Sequence, residues 1–257
     1  MWSAACSSPL RSAAALCSPA RSCRPSSARL SGRSARRSHL ADRARDSPQE
    51  RPVRSRAVER EVMITGIGGQ GVQLAAQVIA RAAILDGRNV STLGIYGGTM
   101  RGGNTDSTVI VADGPIEAPP IVSHAWSAIG LHDEYWLPVE QKLRADAVVL
   151  VNDATFTREI AADADVYRVR ATETAQELGA PLAVSMVMCG AFSALTGLVG
   201  LDALIEGMRA SLPPYRAQHI ASNEQAIRAG AELVPAGACP AWTEVDAAAA
   251  SALTARG

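Results

Sequence analysis

No two of the five cysteines lie close enough to form a CxxC pair. Cys6, Cys17, Cys23, Cys189 and Cys239 are scattered over 257 residues. That spacing argues against a zinc site, an iron–sulfur cluster or a disulfide framework. Aromatic residues make up only 4% of the chain, and no basic stripe interleaves with them, so the electrostatic footprint of a nucleic-acid binder is missing. Neither Ser185 nor Ser193 stands in a GxSxG context, which leaves a hydrolase without its nucleophile. No internal repeat is visible. One long uncharged run exists, Leu182 to Leu201, and its length formally qualifies it as a membrane span. Its Gly190, Gly197 and Gly200, with Ser185, Ser193 and Thr196, read instead as a close-packing helix against a sheet, and no membrane span is expected.

Formal charge balances at 25 basic against 25 acidic residues, but unevenly. Arg11, Arg21, Arg24, Arg29, Arg33, Arg36 and Arg37 all precede the first acidic residue, Asp42. Residues 1–57 are rich in Arg, Ser, Ala and Pro and poor in branched aliphatics, so they cannot bury enough surface to fold alone. Two readings of this basic leader stand: a transit-like peptide, or an overlong start with the protein proper beginning near Val58 or Met63. The compartment is cytoplasmic on the second reading and organellar on the first. With 47% hydrophobic residues, the remainder suffices for one core. The expected division is a leader over 1–57, one domain over 58–230, and an Ala- and Pro-rich tail over 231–257 that is loose or docks on a neighbour, with Trp242 as its large anchor.

"VMITGIG" is an apolar run entering glycines, the sign of a buried strand that turns into a helix. After it, Val72, Ala75, Ala76, Ile79, Ala83 and Ile84 fall at helical spacing, and Gly87 supplies a C-terminal stop. "NVSTLGI" and "NTDSTVIVAD" read as the next strands, with the glycine-rich "YGGTMRGG" between them. "AWSAIGLH", "AVVLVND" and "DVYRVR" are further strands. Pro138 interrupts a helical reading of "DEYWLPVEQKLRA", and Thr172 offers helix-start chemistry for "ATETAQELG". "LDALIEGMRASL" and "YRAQHIASNEQAIRAG" read as two closing helices. Alternating strands and helices predict an α/β fold: a three-layer α/β/α sandwich with a mostly parallel sheet and a Rossmann-like first β-turn-α unit.

Gly66, Gly68 and Gly71 satisfy GxGxxG after a strand and before a helix, the local context of a dinucleotide site. Glycines let the backbone approach an anion, and the helix N-terminus offers free N–H groups and a partial positive charge. Yet the second strand ends "TLGIYGG", with no acid to take ribose hydroxyls, although Arg101 can serve a 2′-phosphate. Three readings of the loop remain at this point: an anion cradle, a tight strand-to-helix turn, and the clamp of an independent NADP-binding Rossmann-type reductase.

Taken together, "GIGGQGVQLAAQVIARAA" and "YGGTMRGGNTDSTVIVAD" resemble the gamma subunit or domain of the 2-oxoacid:ferredoxin (acceptor) oxidoreductases, the group acting on pyruvate, 2-oxoglutarate, ketoisovalerate or indolepyruvate. The resemblance runs from about Glu61 to Gly230 and ends in the helix "PPYRAQHIASNEQAIRAG". It implies a subunit inactive alone within a larger complex. That complex oxidatively decarboxylates a 2-oxoacid with coenzyme A to acyl-CoA, carbon dioxide and reduced ferredoxin. Thiamine diphosphate and iron–sulfur clusters then belong to partner subunits, the partners being thiamine-diphosphate-binding alpha and beta subunits and a ferredoxin-type subunit or ferredoxin. In keeping with this, the chain has no GDG-to-NN thiamine-diphosphate signature and is expected to bind no cofactor alone. The family's first glycine motif falls on Gly68, Gly69, Gln70 and Gly71. Its second falls on Tyr96, Gly97, Arg101, Gly102 and Gly103, with Thr99 where the family commonly has Glu. Gly68, Gly69, Gln70, Gly71, Tyr96, Arg101, Gly102 and Gly103 are the expected ligand-binding set, with the two loops side by side at the carboxyl edge of the sheet. Arg101 there either helps hold an anion such as a coenzyme A phosphate or pairs with an acid across a subunit interface.

His132, Asp133 and Glu134 look like a metal trio, but adjacent residues point in different directions, and a helix start is the expectation. Trp126, Tyr135 and Trp136 are core or interface. Tyr215 and His219, four apart, read as packing, and Cys189 as a small core residue.

Overall fold

The computed structural model describes residues 57–96, 102–116, 119–160 and 163–243. The basic leader, the middle of the second glycine loop with Gly97, Thr99 and Arg101, and the last stretch of the tail lie outside them.

In chain order the elements are β1 (Glu59–Ile67), α1 (Val72–Leu85), β2 (Asn89–Tyr96), β3 (Asn104–Ala112), β4 (Ala125–Gly130) and α2 (Leu137–Glu140). There follow β5 (Leu143–Asn152), β6 (Ala164–Val169), α3 (Ala171–Glu177), α4 (Val184–Thr196), α5 (Leu201–Ser211) and α6 (Ile220–Glu232). The six strands form one sheet in the order β2-β3-β1-β4-β5-β6. β1, β4, β5 and β6 are parallel neighbours, whereas β3 runs antiparallel to both β1 and β2. The expected mostly parallel α/β sheet is present, and β3 alone is reversed. It returns from β2 through the second glycine loop as a hairpin and inserts between β2 and β1.

β1 earns its central place by its run of buried residues from Val62 to Gly66, which is apolar enough to be covered on both faces. One face carries Val62, Ile64, Val109, Ile129 and Leu150 against the helices; the other carries Met63, Ile110, Ala128, Val149 and Val151. The layers are unequal. α1 and α4 lie on the first face backed by α5 and α6, whereas the second is closed by the four-residue α2 and its flanking loops. Pro138 sits in the first turn of α2 and starts that helix, where its missing N–H costs nothing, so it does not break one as expected. Trp136 and Phe156 meet edge to face at 5.0 Å in this second core, and Trp126 meets Phe192 of α4 at 6.2 Å in the first. Both tryptophans are therefore core residues.

The uncharged run divides into a 3₁₀ turn, Pro181–Ala183, and α4, which stops at Gly197 in the left-handed region instead of continuing to Leu201. No described helix is long and apolar enough to cross a membrane. α4 is uncharged because α1, α3, α5 and α6 surround it. A Cβ at Gly190 would land on the carbonyl oxygen of Ile227, and one at Gly230 on that of Val187, so the α4 and α6 backbones touch. In α1 the predicted apolar positions are buried except Ile84, which is 60% exposed beyond the edge of its neighbours.

The described part of the tail packs on its own chain. Gly237, Cys239 and Ala241 donate backbone hydrogen bonds to the carbonyls of Ala194, Leu195 and Thr196, unpaired at the end of α4. Trp242 donates its indole N–H to the Leu198 carbonyl at 3.1 Å, and the Arg88 guanidinium lies 4.0 Å over its ring.

Candidate functional site

The two glycine motifs, one starting at Gly68 and the other at Tyr96, meet in space. Gly68 N–H donates to the Gly103 carbonyl at 2.9 Å, and a Cβ at Gly68 would stand 3.4 Å from the Gly102 nitrogen. The inserted hairpin is what allows this: β3 pairs with β1 down to Asn104 opposite Ile67, so the end of the second loop arrives beside the start of the first. Tyr96 closes β2 opposite Thr105, and Gly102 takes φ 88° as the chain turns into β3.

Gly71 starts α1 with φ 85° and no capping side chain, which leaves first-turn N–H groups without the usual side-chain acceptor. Its missing Cβ also makes room for Ser185, whose Oγ would lie 2.5 Å away. Gly69, at φ 106°, has open space where a side chain would be. Gln70 turns inward: its Oε1 accepts from the Ile67 N–H at 2.8 Å, and its Nε2 reaches the Leu131 carbonyl at 3.5 Å. Gln70 thus braces the loop, and the open groups are the backbone of Gly69 and Gly71.

Beneath the loops, Asp106 accepts from Thr65 Oγ1 at 2.6 Å and from Asn104 Nδ2 at 2.8 Å. Beside them a cavity of about 230 Å³ opens at the carboxyl ends of β1, β4 and β5, lined by Gly69, Gln70, Leu131, Asn152, Thr172 and Leu182 among others. Its polar wall is a chain of hydrogen bonds. Asn152, 1% exposed, donates to Thr155 Oγ1 at 2.7 Å and Thr172 Oγ1 at 2.9 Å, and Thr155 donates to the Leu131 carbonyl at 2.6 Å. Thr172 is therefore tied to Asn152 and does not cap α3, where Arg170 holds the N-cap position. The wall was missed in the sequence apart from Thr172. The signal was there in "VND", an amide at the carboxyl end of a buried strand, where open sheets bind ligands.

The other singled-out residues fall elsewhere. Among the described residues no cluster of His, Cys, Asp and Glu has metal-binding geometry. Asp133 sits in a turn and does not start a helix; its carboxylate accepts from Thr157 N and Oγ1, both at 2.9 Å, and from Arg158 N at 3.3 Å. Burial pushes that carboxyl up, but these hydrogen bonds and His132 outweigh it, and the net shift is downward. Cys189 is enclosed in the core, where burial pushes its thiol up to about 12, so it is a poor thiolate ligand or nucleophile. Cys239 lies 3.2 Å from the Tyr167 hydroxyl. Tyr215 and His219 are exposed on a 3₁₀ turn, Pro214–His219, and pack no core.

The sequence pattern of the pyruvate ferredoxin/flavodoxin oxidoreductase family matches residues 61–233. The chain belongs to that family. It is 33% identical over 187 residues to the 2-oxoglutarate synthase subunit KorC of Methanothermobacter thermautotrophicus, covering 70% of this chain and 97% of that one. The pyruvate synthase subunit PorC of Methanothermobacter marburgensis is 36% identical over 159 residues, covering 60% of this chain and 86% of its own. Among solved structures, the gamma subunit of a keto/oxoacid ferredoxin oxidoreductase from Geobacter sulfurreducens superposes with a TM-score of 0.60 at 28% identity, covering 68% of this chain and 95% of that one.

Membership removes the independent NADP-binding reductase, and the sheet order gives the physical reason. In a dinucleotide fold the strand that carries the ribose-binding acid lies next to β1. Here β3 stands between, so the end of β2 is two strand spacings away, about 10 Å. The GxGxxG spacing is shared, but the place for a nicotinamide nucleotide's ribose is not.

Proposed function

We infer that this chain is the gamma-type subunit of a thiamine-diphosphate-dependent 2-oxoacid:ferredoxin oxidoreductase complex. The complex converts a 2-oxoacid, coenzyme A and oxidised ferredoxin into acyl-CoA, carbon dioxide and reduced ferredoxin. Supporting this reading are the family membership, the relatives that are named as subunits of 2-oxoglutarate and pyruvate synthases, and the meeting of the two glycine loops. Thiamine diphosphate, bound on partner subunits, supplies the decarboxylation chemistry, and their iron–sulfur clusters carry the electrons. Among the described residues, the cysteines are buried or bonded to tyrosine, and no group of His, Cys, Asp and Glu has metal-binding geometry.

The chain's own part is to bind and orient. The observation that carries it is the Gly68–Gly103 junction, which sets the uncapped start of α1 and the open face of Gly69 beside the second loop. Backbone N–H groups at Gly69 and Gly71, with the helix N-terminus, form an anion cradle, and Arg101 in the second loop adds a full positive charge. A coenzyme A phosphate is the ligand this cradle fits. Gln70, Gly68, Gly102 and Gly103 shape it, and Tyr96 marks where β2 enters the loop. The cytoplasm is the compartment we assign; an N-terminal mass that begins near Val58 or Met63 goes with it, and a processed organellar leader opposes it.

The test is reconstitution of the complex with this chain present or left out. Ferredoxin reduction that depends on a 2-oxoacid, on coenzyme A and on this chain is expected. Full activity without the chain would overturn the reading.

A further inference from the structure

A second cavity, about 360 Å³, lies on the other side of the Pro181–Ala183 turn from the first, and Pro181 and Leu182 line both. Its walls are apolar, from Leu74, Met186 and Leu212. Its floor carries two polar side chains that folding has nearly removed from water, Ser185 at 2% exposure and Asn223 at 8%. Both side chains open onto the cavity, and neither is among the described groups whose polar atoms are sealed from solvent without a hydrogen-bond partner. Their hydroxyl and amide are therefore within reach of donors and acceptors on whatever fills the cavity.

The rim carries one cation, Arg216, with His219 beside it, and no carboxylate lines it among the described residues. From Gly207 to Asn223 the chain contains no acid at all, and Arg209, the other cation there, is already held by Glu224 at 2.6 Å. Two large apolar groups stand in water beside the opening: Leu182, 87% exposed, and Tyr215, 74% exposed, with the Arg216 guanidinium 5.7 Å over the Tyr215 ring. Pro213 and Pro214 stiffen the segment that presents them, and none of Pro214–His219 is buried. Exposed Leu and Tyr, an arginine and an apolar socket are the composition of an interface core, not of a solvated loop.

We propose that this face is where a partner subunit of the complex docks. The occupant is a segment with an apolar side chain that fills the cavity, backbone or amide groups that pair with Ser185 and Asn223, and a carboxylate that meets Arg216 and His219. The proposal rests on the subunit reading above and deepens it. Because Ser185 also lies against Gly71, the docked segment sits directly behind the glycine cradle and couples assembly to the site.

The test uses the full chain, tagged and co-produced with the thiamine- and cluster-bearing subunits. Leu182→Glu and Arg216→Glu change exposed groups, so melting temperatures should match the wild type while retention of the partners falls by about tenfold or more. Arg216→Lys and Ile121→Glu, the latter at an equally exposed position (76%) outside this cavity, should retain them. A photo-crosslinker at position 182 should give an adduct with one of those subunits. Wild-type retention by Leu182→Glu or Arg216→Glu would overturn the proposal. So would adducts confined to a second copy of this chain, or a small anion held in the cavity with no protein adduct. If the wild-type chain retains no such subunit, the subunit reading itself fails; if it does and Leu182→Glu does equally, only the docking face fails.

Discussion

Gly71 answers to two demands at once, a left-handed φ of 85° at the start of α1 and a gap for the Ser185 hydroxyl. Gly71→Ala should therefore cost about 1–3 kcal/mol, seen as a lower melting temperature of the lone chain. Adding Ser185→Ala relieves the clash but not the backbone strain, so only part of the loss should return. An unchanged melting temperature in the single variant would mean that the loop bends more freely than its contacts allow. Asp133 makes a prediction of a different kind. Its folded carboxyl titrates below the ordinary aspartate value, so its contribution to stability is present above about pH 4 and disappears as acid protonates it. Asp133→Asn should lower the melting temperature at neutral pH, and the difference from wild type should shrink to nothing in acid. A gap that stays constant across that range would assign the stabilisation to packing.

Helices and strands differed in how far they could be read from the chain. β1, the first glycine turn, α1 and its stop at Gly87 were legible, because a buried strand, a glycine turn and a 3.6-residue period all agree locally. The direction and order of β3 were not: its apolar run fits a buried strand of either direction, and only pairing with β1 and β2 decides. That one reversal is what brings the two loops together. The extent of α4 was overread because composition shows that a run is buried, whereas its end depends on one glycine, Gly197, adopting the left-handed region. The anchorage of residues 237–241 was not legible because the groups that hold them, the last carbonyls of α4, carry no sequence signature. In the site, the glycines were legible, while the Asn152, Thr155 and Leu131 wall joins positions that only the sheet assembles. At this scale the α4–α6 contact is the firmest prediction. Gly230→Ala places a methyl on the Val187 carbonyl, with backbone and not a flexible side chain in the way. The helices must part, and a loss of about 1–3 kcal/mol or more follows, read as early unfolding in denaturant. Serine or alanine accepted there without cost would show that α6 shifts easily.

The whole molecule is a frame with most of its open chemistry at one edge of the sheet. The smaller cavity, the glycine loops and the exposed Leu182 gather at the carboxyl ends of the parallel strands, and the larger cavity adjoins them across the Pro181–Ala183 turn, while the N-terminal side is closed by the tail and its Trp242–Arg88 stack. On the proposed reading the chain binds and orients, and its partners complete the function. The most direct test is to isolate the tagged native protein from its own cells under anaerobic conditions, identify what accompanies it, and record its absorbance. Co-purification of a thiamine-diphosphate subunit with brown iron–sulfur absorbance is the predicted result. A lone colourless chain that binds NADPH would contradict the account.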